Sequence, residues 1–113
     1  MNYHKVMQEI KEIFPFKNYI KENSAGDPYK TVYAIATKYL TKKSNVLDFG
    51  SGPCDKTAIV ALLGHNCVAY DDLQDAWHKD SDNKSKILDF SKKVGIKYIN
   101  TLESELSNQD EAF

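Results

Sequence analysis

The chain has 113 residues, of which 42% are hydrophobic and 12% aromatic, and a chain of this length buries one modest core rather than two. Its 15 basic residues, all lysine, nearly balance its 16 acidic residues, and the formal net charge is −1. No overall charge therefore attracts the chain to nucleic acid or to an anionic membrane, and we predict neither partner. The longest apolar stretch, residues 58–64, is far shorter than the ~20 residues of a membrane span.

The start of the chain and its two cysteines indicate a cytoplasmic protein. Residues 1–5 lead into an amphipathic pattern rather than into the apolar core of a signal peptide. Cys54 and Cys67 form no C-x-x-C pair, which favours reduced thiols over a disulfide or a zinc site. We therefore expect a cytoplasmic protein without a metal site.

Charge and hydrophobic pattern divide the chain near residue 45. Residues 1–45 carry eight lysines and four acids, whereas residues 46–113 carry seven lysines and twelve acids. In the first segment, apolar residues at helical spacing predict a helix that ends at Pro15. Asp27 and Pro28 then supply the N-cap and the first-turn proline of a second helix. We interpret residues 1–45 as an amino-terminal helical segment.

From residue 46 the pattern alternates between strands and helices, which is typical of parallel βαβ units. The predicted elements are a strand at 46–49, a helix at 55–63 that ends at Gly64, a strand at 67–70, a helix that begins near Ser81 or Asp82 and ends at Gly95, and a strand at 96–99. The sequence thus predicts an α/β fold in which a Rossmann-like βαβαβ half-domain with parallel strands, residues 46–113, follows two amino-terminal helices.

A glycine turn and a distal acid suggest a nucleoside site. Gly50 and Gly52 separate the first predicted strand from its helix, where a nucleotide can approach the backbone closely. The second strand ends at Asp71, an acid placed to accept hydrogen bonds from a ribose diol. A dinucleotide fingerprint would require glycine where Asp55 stands, and Asp48 and Asp55 would repel a pyrophosphate by roughly several kcal/mol. We therefore predict a phosphate-free ligand, and S-adenosylmethionine offers an adenosine, an ammonium and a sulfonium.

The stretch 46–55, VLDFGSGPCD, followed by Gly64 and by VAYDD at 68–72, resembles motifs I and II of the class I S-adenosylmethionine-dependent methyltransferases. The resemblance covers roughly residues 27–113, and the usual third glycine of the loop is Cys54 in this chain. The residues that the resemblance assigns to the cofactor are Asp48, Gly50, Ser51 and Gly52 for the methionine part, Asp71 for the ribose, and Asp72 and Leu73 next in line for ribose and adenine.

In this family the fold resembles a seven-stranded sheet in the order 3-2-1-4-5-7-6, and this chain supplies strands 1 to 3. The resemblance therefore implies a truncated methyltransferase, an amino-terminal half that is expected to be inactive alone. The half that usually recognises the acceptor is absent, so no catalytic residue is assigned, and a small molecule or a sugar is the preferred acceptor. The first strand would be a sheet edge, so we expect a homo-oligomer through that edge or cover by the amino-terminal helices.

Other readings of these residues stay open. The same half-domain would also suit a non-catalytic interaction or regulatory module that needs a partner to complete its sheet. Asp55 disfavours an NAD-dependent oxidoreductase fragment. The acidic run around His78 lacks the glycine and the terminal glutamate of a calcium loop, which favours a solvated loop. Cys54 at a helix start is a weak redox candidate because nearby acids oppose a thiolate, and Tyr29 is a candidate lid residue.

Overall fold

The computed structural model describes residues 1–21, 26–74 and 80–100. That part of the chain contains four helices and a three-stranded sheet. The elements are α1 (Tyr3–Ile13), α2 (Pro28–Tyr39), β1 (Asn45–Phe49), α3 (Thr57–Leu62), β2 (Asn66–Tyr70), α4 (Ser81–Lys93) and β3 (Lys97–Ile99). All strands are parallel, in the order β1-β2-β3. The predicted α/β class and the parallel half-domain are confirmed.

Local sequence signals fix the ends of most helices. Asn2, Asp27 and Asp80 each place a side-chain oxygen on backbone N–H groups in the first turn of α1, α2 and α4, the usual role of an N-cap. The predicted cap of α2 is therefore correct. The predicted start of α3, Asp55, is two residues too early. Cys54 has a φ of 68°, so the chain makes one more turn before the helix begins at Thr57.

One buried cluster joins the amino-terminal helices to the sheet. The ring of Phe14, which follows α1, meets the ring of Phe90 on α4 edge-on, with 5.0 Å between their centroids. The buried members of this cluster are Val6, Met7, Ile10, Phe14, Tyr29, Cys54, Ala58, Ile59, Cys67, Ala69, Phe90 and Ile96. The helical segment 1–45 and the segment 46–113 thus contribute to the same core, and the division between them stays a prediction.

The sheet has one covered face and one that is more open. Cys67 and Ala69 of β2 are buried in the core, whereas Leu47 and Phe49 of β1 are 38% and 65% exposed. The Phe49 ring stacks on the ring of Tyr70, with 5.0 Å between centroids. Among the described residues, β1 pairs with β2 alone. Within that part of the chain, β1 and β3 are therefore the two edge strands of the sheet.

Candidate functional site

The loop between β1 and α3 makes a sharp turn at the carboxyl end of the sheet. Gly50 and Gly52 have φ angles of 76° and 53°, which glycine adopts at little cost. Cys54 adopts a φ of 68° at a cost of about 1 kcal/mol, and its N–H donates to the carbonyl oxygen of Ser51 at 3.2 Å. Pro53 carries no N–H. The chain thus makes a glycine-loop turn with a buried cysteine at its third turning position.

Three further N–H groups of this loop donate to acceptors inside the protein. Gly50 and Ser51 both donate to the carbonyl oxygen of Tyr70, at 2.7 and 3.1 Å. Gly52 donates to the Oδ2 atom of Asp71 at 2.9 Å. A ligand that approaches this part of the loop therefore meets carbonyl and carboxylate oxygens, whereas the N–H groups of Gly50, Ser51 and Gly52, which could hold a phosphate, are already engaged.

Asp71 connects two backbone segments. While its Oδ2 atom accepts from Gly52, its Oδ1 atom accepts from the N–H of Leu73 at 2.8 Å. The two carboxylate oxygens offer about four acceptor sites in total, so each keeps capacity for a further donor. Asp71 is half-buried, and contact with a ribose is compatible with both internal hydrogen bonds. The sequence did not predict this bridging role.

Asp48 and Tyr98 lie in one row across the sheet. The register pairs Asp48 with Ala69, and Ala69 with Tyr98. Thr57, the first residue of α3, donates from its hydroxyl to Asp48 Oδ2 at 2.6 Å. The Tyr98 hydroxyl donates to the carbonyl oxygen of Gly52 at 2.7 Å, and burial raises the pKa of this phenol, so it stays a donor at neutral pH. Sequence reasoning missed Tyr98, although the strand register could have placed it here.

The other predicted cofactor residues differ in their exposure. The Ser51 hydroxyl oxygen is buried near Cys54 and Tyr98 but makes no regular hydrogen bond to the described residues. Asp72 is exposed, and its carboxylate accepts from the backbone N–H two residues later. Leu73 has a φ of 55° and a side chain that is 1% exposed. The structure therefore brings the loop and Asp71 together at one end of the sheet, with Leu73 turned inward.

Asp55 is turned towards α2. Its Oδ2 atom accepts from the Tyr29 hydroxyl at 2.7 Å and lies 3.8 Å from the Lys56 ammonium nitrogen. The Asp55 side chain is only 4% exposed, and the pKa of Tyr29 is raised, chiefly by burial and then by its bond to Asp55. The hydrogen bond between Tyr29 and Asp55 connects the first turn of α2 to the end of the loop. The lid role of Tyr29 stays a prediction.

The surroundings of the two buried thiols oppose formation of a thiolate. Burial, with a smaller contribution from the charge of Asp48, raises the pKa of Cys54 to about 12 and that of Cys67 to about 11. Within the described residues, no group of three or more His, Cys, Asp or Glu side chains is arranged to hold a metal ion. His78 and the segment 101–112 lie outside the described residues.

No protein-family profile matches the chain, and a search of curated proteins finds no match. The resemblance to methyltransferases therefore stays a prediction from residues 46–55, Gly64 and residues 68–72. In the described ranges, no helix has the length and apolar character required to cross a membrane. Chemically, the site can accept hydrogen bonds from hydroxyl groups and attract a cation.

Proposed function

We propose that this chain is the S-adenosylmethionine-binding portion of a methyltransferase that acts on a small-molecule or sugar acceptor. The observation that carries the proposal is the engagement of the loop N–H groups. Gly50, Ser51 and Gly52 donate to Tyr70 and Asp71, so the loop offers acceptors to a ligand. A ligand that brings donors and positive charge is complementary to such a surface.

S-adenosylmethionine meets this requirement better than a phosphate-bearing nucleotide. Its ammonium and sulfonium groups suit the Asp48 carboxylate and the loop carbonyls, and its ribose hydroxyls can donate to Asp71. A pyrophosphate would face Asp48 and Asp71 while the N–H groups of Gly50, Ser51 and Gly52 are engaged elsewhere, and like charges about 4 Å apart repel by about 1–4 kcal/mol near a protein surface. This argument is independent of Asp55, whose carboxylate is bonded to Tyr29.

In the proposed reaction, the chain binds and orients the methyl donor. The resemblance assigns the methionine part to Asp48, Gly50, Ser51 and Gly52, and the adenosine to Asp71, Asp72 and Leu73. Methyl transfer depends largely on placing the acceptor in line with the methyl group, with a general base where the acceptor must lose a proton. No residue of this chain is proposed as that base, and we place the protein in the cytoplasm.

Calorimetric titration with two nucleosides tests the proposal. S-adenosylhomocysteine carries the amino-acid part, and 5′-methylthioadenosine lacks it. Asp48→Asn keeps an oxygen for the Thr57 hydroxyl but removes the charge that faces the ammonium. We expect this variant to weaken S-adenosylhomocysteine about tenfold, which corresponds to ~1.4 kcal/mol, and to leave 5′-methylthioadenosine unchanged.

Asp89→Asn is the matched control, because Asp89 is an exposed carboxylate on α4 that pairs with Lys93 at 3.2 Å. It should change neither affinity. Absence of S-adenosylhomocysteine binding by the folded chain would contradict the proposal. Equal weakening of both nucleosides by Asp48→Asn would contradict the assignment of Asp48 to the amino-acid part.

The edge position of β1 favours a second candidate function, a non-catalytic module whose sheet is completed by a partner. Leu47 and Phe49 are exposed on this strand, and unpaired edges invite pairing with another chain. A stable complex without cofactor binding or methylation in either state would favour this alternative. Cofactor binding that depends on Asp48 would favour the methyltransferase.

A further inference from the structure

The backbone of β1 shows which of its residues face the open edge, the side on which no described strand pairs with it. The Ser44 carbonyl accepts from the N–H of Asn66 at 2.9 Å, just before the strand. The N–H of Gly50 donates to the Tyr70 carbonyl at 2.7 Å, just after it. Backbone groups alternate in direction along a strand, so the even-numbered positions face β2. The residues of β1 that point their N–H and C=O groups to the open edge are Asn45, Leu47 and Phe49.

Exposed apolar side chains lie on β1 and on helix α2, whose residue Val32 lines a groove together with Leu47. Leu47 and Phe49 are 38% and 65% exposed on β1, and Ile35 and Tyr39 are 54% and 67% exposed on α2. Two adjoining grooves of about 280 and 250 Å³ run between α2, α3 and β1 and share Val32 and Val60 as lining residues. The second groove is lined entirely by α2, Leu40 and α3 side chains.

We propose that a second copy of this chain pairs antiparallel along β1, with the two-fold axis at Leu47. This register places Leu47 opposite itself, and Asn45 opposite Phe49, so that all three edge-facing residues form the hydrogen-bonded pairs of an antiparallel ladder. An axis at Val46 or Asp48 would match only two of them. A two-fold axis uses the same surface on both copies, and an antiparallel strand at the margin of a parallel sheet is common.

Charge and area are compatible with a dimer of modest affinity. Because the net charge is −1, the electrostatic repulsion between two copies of the chain is weak. About two-thirds of Tyr39 and Phe49 is exposed, which amounts to roughly 250 Å² for two aromatic side chains, and Ile35 and Leu47 add to it. A stable interface buries about 800 Å² per partner. We therefore expect a dimer that dissociates on dilution.

Engineered cysteines test both the dimer and its register. The native thiols of Cys54 and Cys67 are 0% and 4% exposed, so an introduced cysteine reports on the edge alone. Hydrogen-bonded partners have Cα atoms about 5.5 Å apart, which a disulfide can span. Under mild oxidation we expect Leu47→Cys to form a covalent dimer with itself. Asn45→Cys and Phe49→Cys should form a covalent dimer when mixed, and neither should do so alone.

Sedimentation of the unmodified chain and of two lysine variants provides the second measurement. Leu47→Lys adds a charge at the axis, and Ile13→Lys on α1 is a matched control, since Leu47 and Ile13 are 38% and 39% exposed. We expect the unmodified chain and Ile13→Lys to dimerise at high micromolar concentration, and Leu47→Lys to stay monomeric. A wild-type monomer at every concentration, or equal self-crosslinking by all three cysteine variants, would overturn the proposal. Neither result bears on cofactor binding, which is measured separately.

Discussion

Removal of one hydroxyl group, by Tyr29→Phe, tests whether the contact between α2 and the loop stabilises the fold. Tyr29 is 5% exposed, and its hydroxyl donates to Asp55 Oδ2 at 2.7 Å. The Asp55 side chain is 4% exposed, and the charged nitrogen of Lys56 lies 3.8 Å from it on a side chain that is 48% exposed. Phenylalanine would keep the packed ring and remove the donor, so a buried carboxylate would lose its closest hydrogen bond.

The expected loss follows from the charge of the acceptor. A hydrogen bond to a charged group contributes about 1.5–3 kcal/mol, and an unsatisfied buried partner is costly in itself. We therefore expect Tyr29→Phe to lower the free energy of unfolding by about 2 kcal/mol. This is a large part of the 5–15 kcal/mol that typical domains possess. At about 4 °C per kcal/mol for a domain of this size, the melting temperature should fall by about 8 °C.

Urea unfolding followed by circular dichroism measures the effect. Tyr33→Phe is the control, because its hydroxyl donates to the Met1 carbonyl oxygen at 3.1 Å in an exposed position, and exposed changes usually stay within about 0.5 kcal/mol. A double-mutant cycle with Asp55→Asn should return a coupling energy of at least about 1 kcal/mol. Equal losses for the two tyrosine variants, or zero coupling, would refute the reasoning.

Three further predictions concern the loop and its surroundings. Tyr98→Phe removes the donor to the Gly52 carbonyl and should cost about 1 kcal/mol in urea unfolding; an unchanged midpoint would contradict this. Gly50→Ala should also lower the free energy of unfolding by about 1 kcal/mol. The cause is the φ of +76°, since the added Cβ would meet no atom within 4 Å. Gly50→Asn should cost less. Burial raises the pKa of Cys54 and Cys67 from 9.0 to about 12 and 11. The stability that the two buried neutral thiols contribute is therefore complete below pH 9.0 and is lost as the pH rises towards 11. Melting temperatures across that range check this, and rapid thiol labelling of the native chain at neutral pH would oppose it.

The elements that sequence reasoning placed correctly are those with local causes. Asp27 and Pro28 begin α2 because a carboxylate accepts from the first turn and proline already has a helical φ. Gly50 and Gly52 make a turn because their φ angles are positive. Alternation of short apolar strands with helices predicted a parallel sheet, since parallel neighbours require a crossover. Each of these signals lies within a few residues of the element that it determines.

The contacts that the sequence did not disclose join distant parts of the chain. Tyr29 and Asp55 are 26 positions apart, and Tyr98 and Gly52 are 46 positions apart. Their pairing depends on how α2 and β3 pack against the loop, and no periodicity encodes that packing. The late start of α3 was also missed, because a positive φ at a cysteine is uncommon and no local signal announces it.

The double role of Asp71 determines how its substitution should be interpreted. The side chain holds the N–H groups of Gly52 and Leu73, so Asp71→Ala would disturb the loop even if no ligand touched the carboxylate. Tyr98→Phe removes the hydrogen bond to the carbonyl oxygen of Gly52 and leaves the Asp71 carboxylate in place. If Asp71 acts through loop geometry alone, both variants should weaken S-adenosylhomocysteine in proportion to their loss of stability. If it binds the ribose, Asp71→Ala should weaken the ligand beyond that proportion, and a ligand without the ribose diol should abolish the excess.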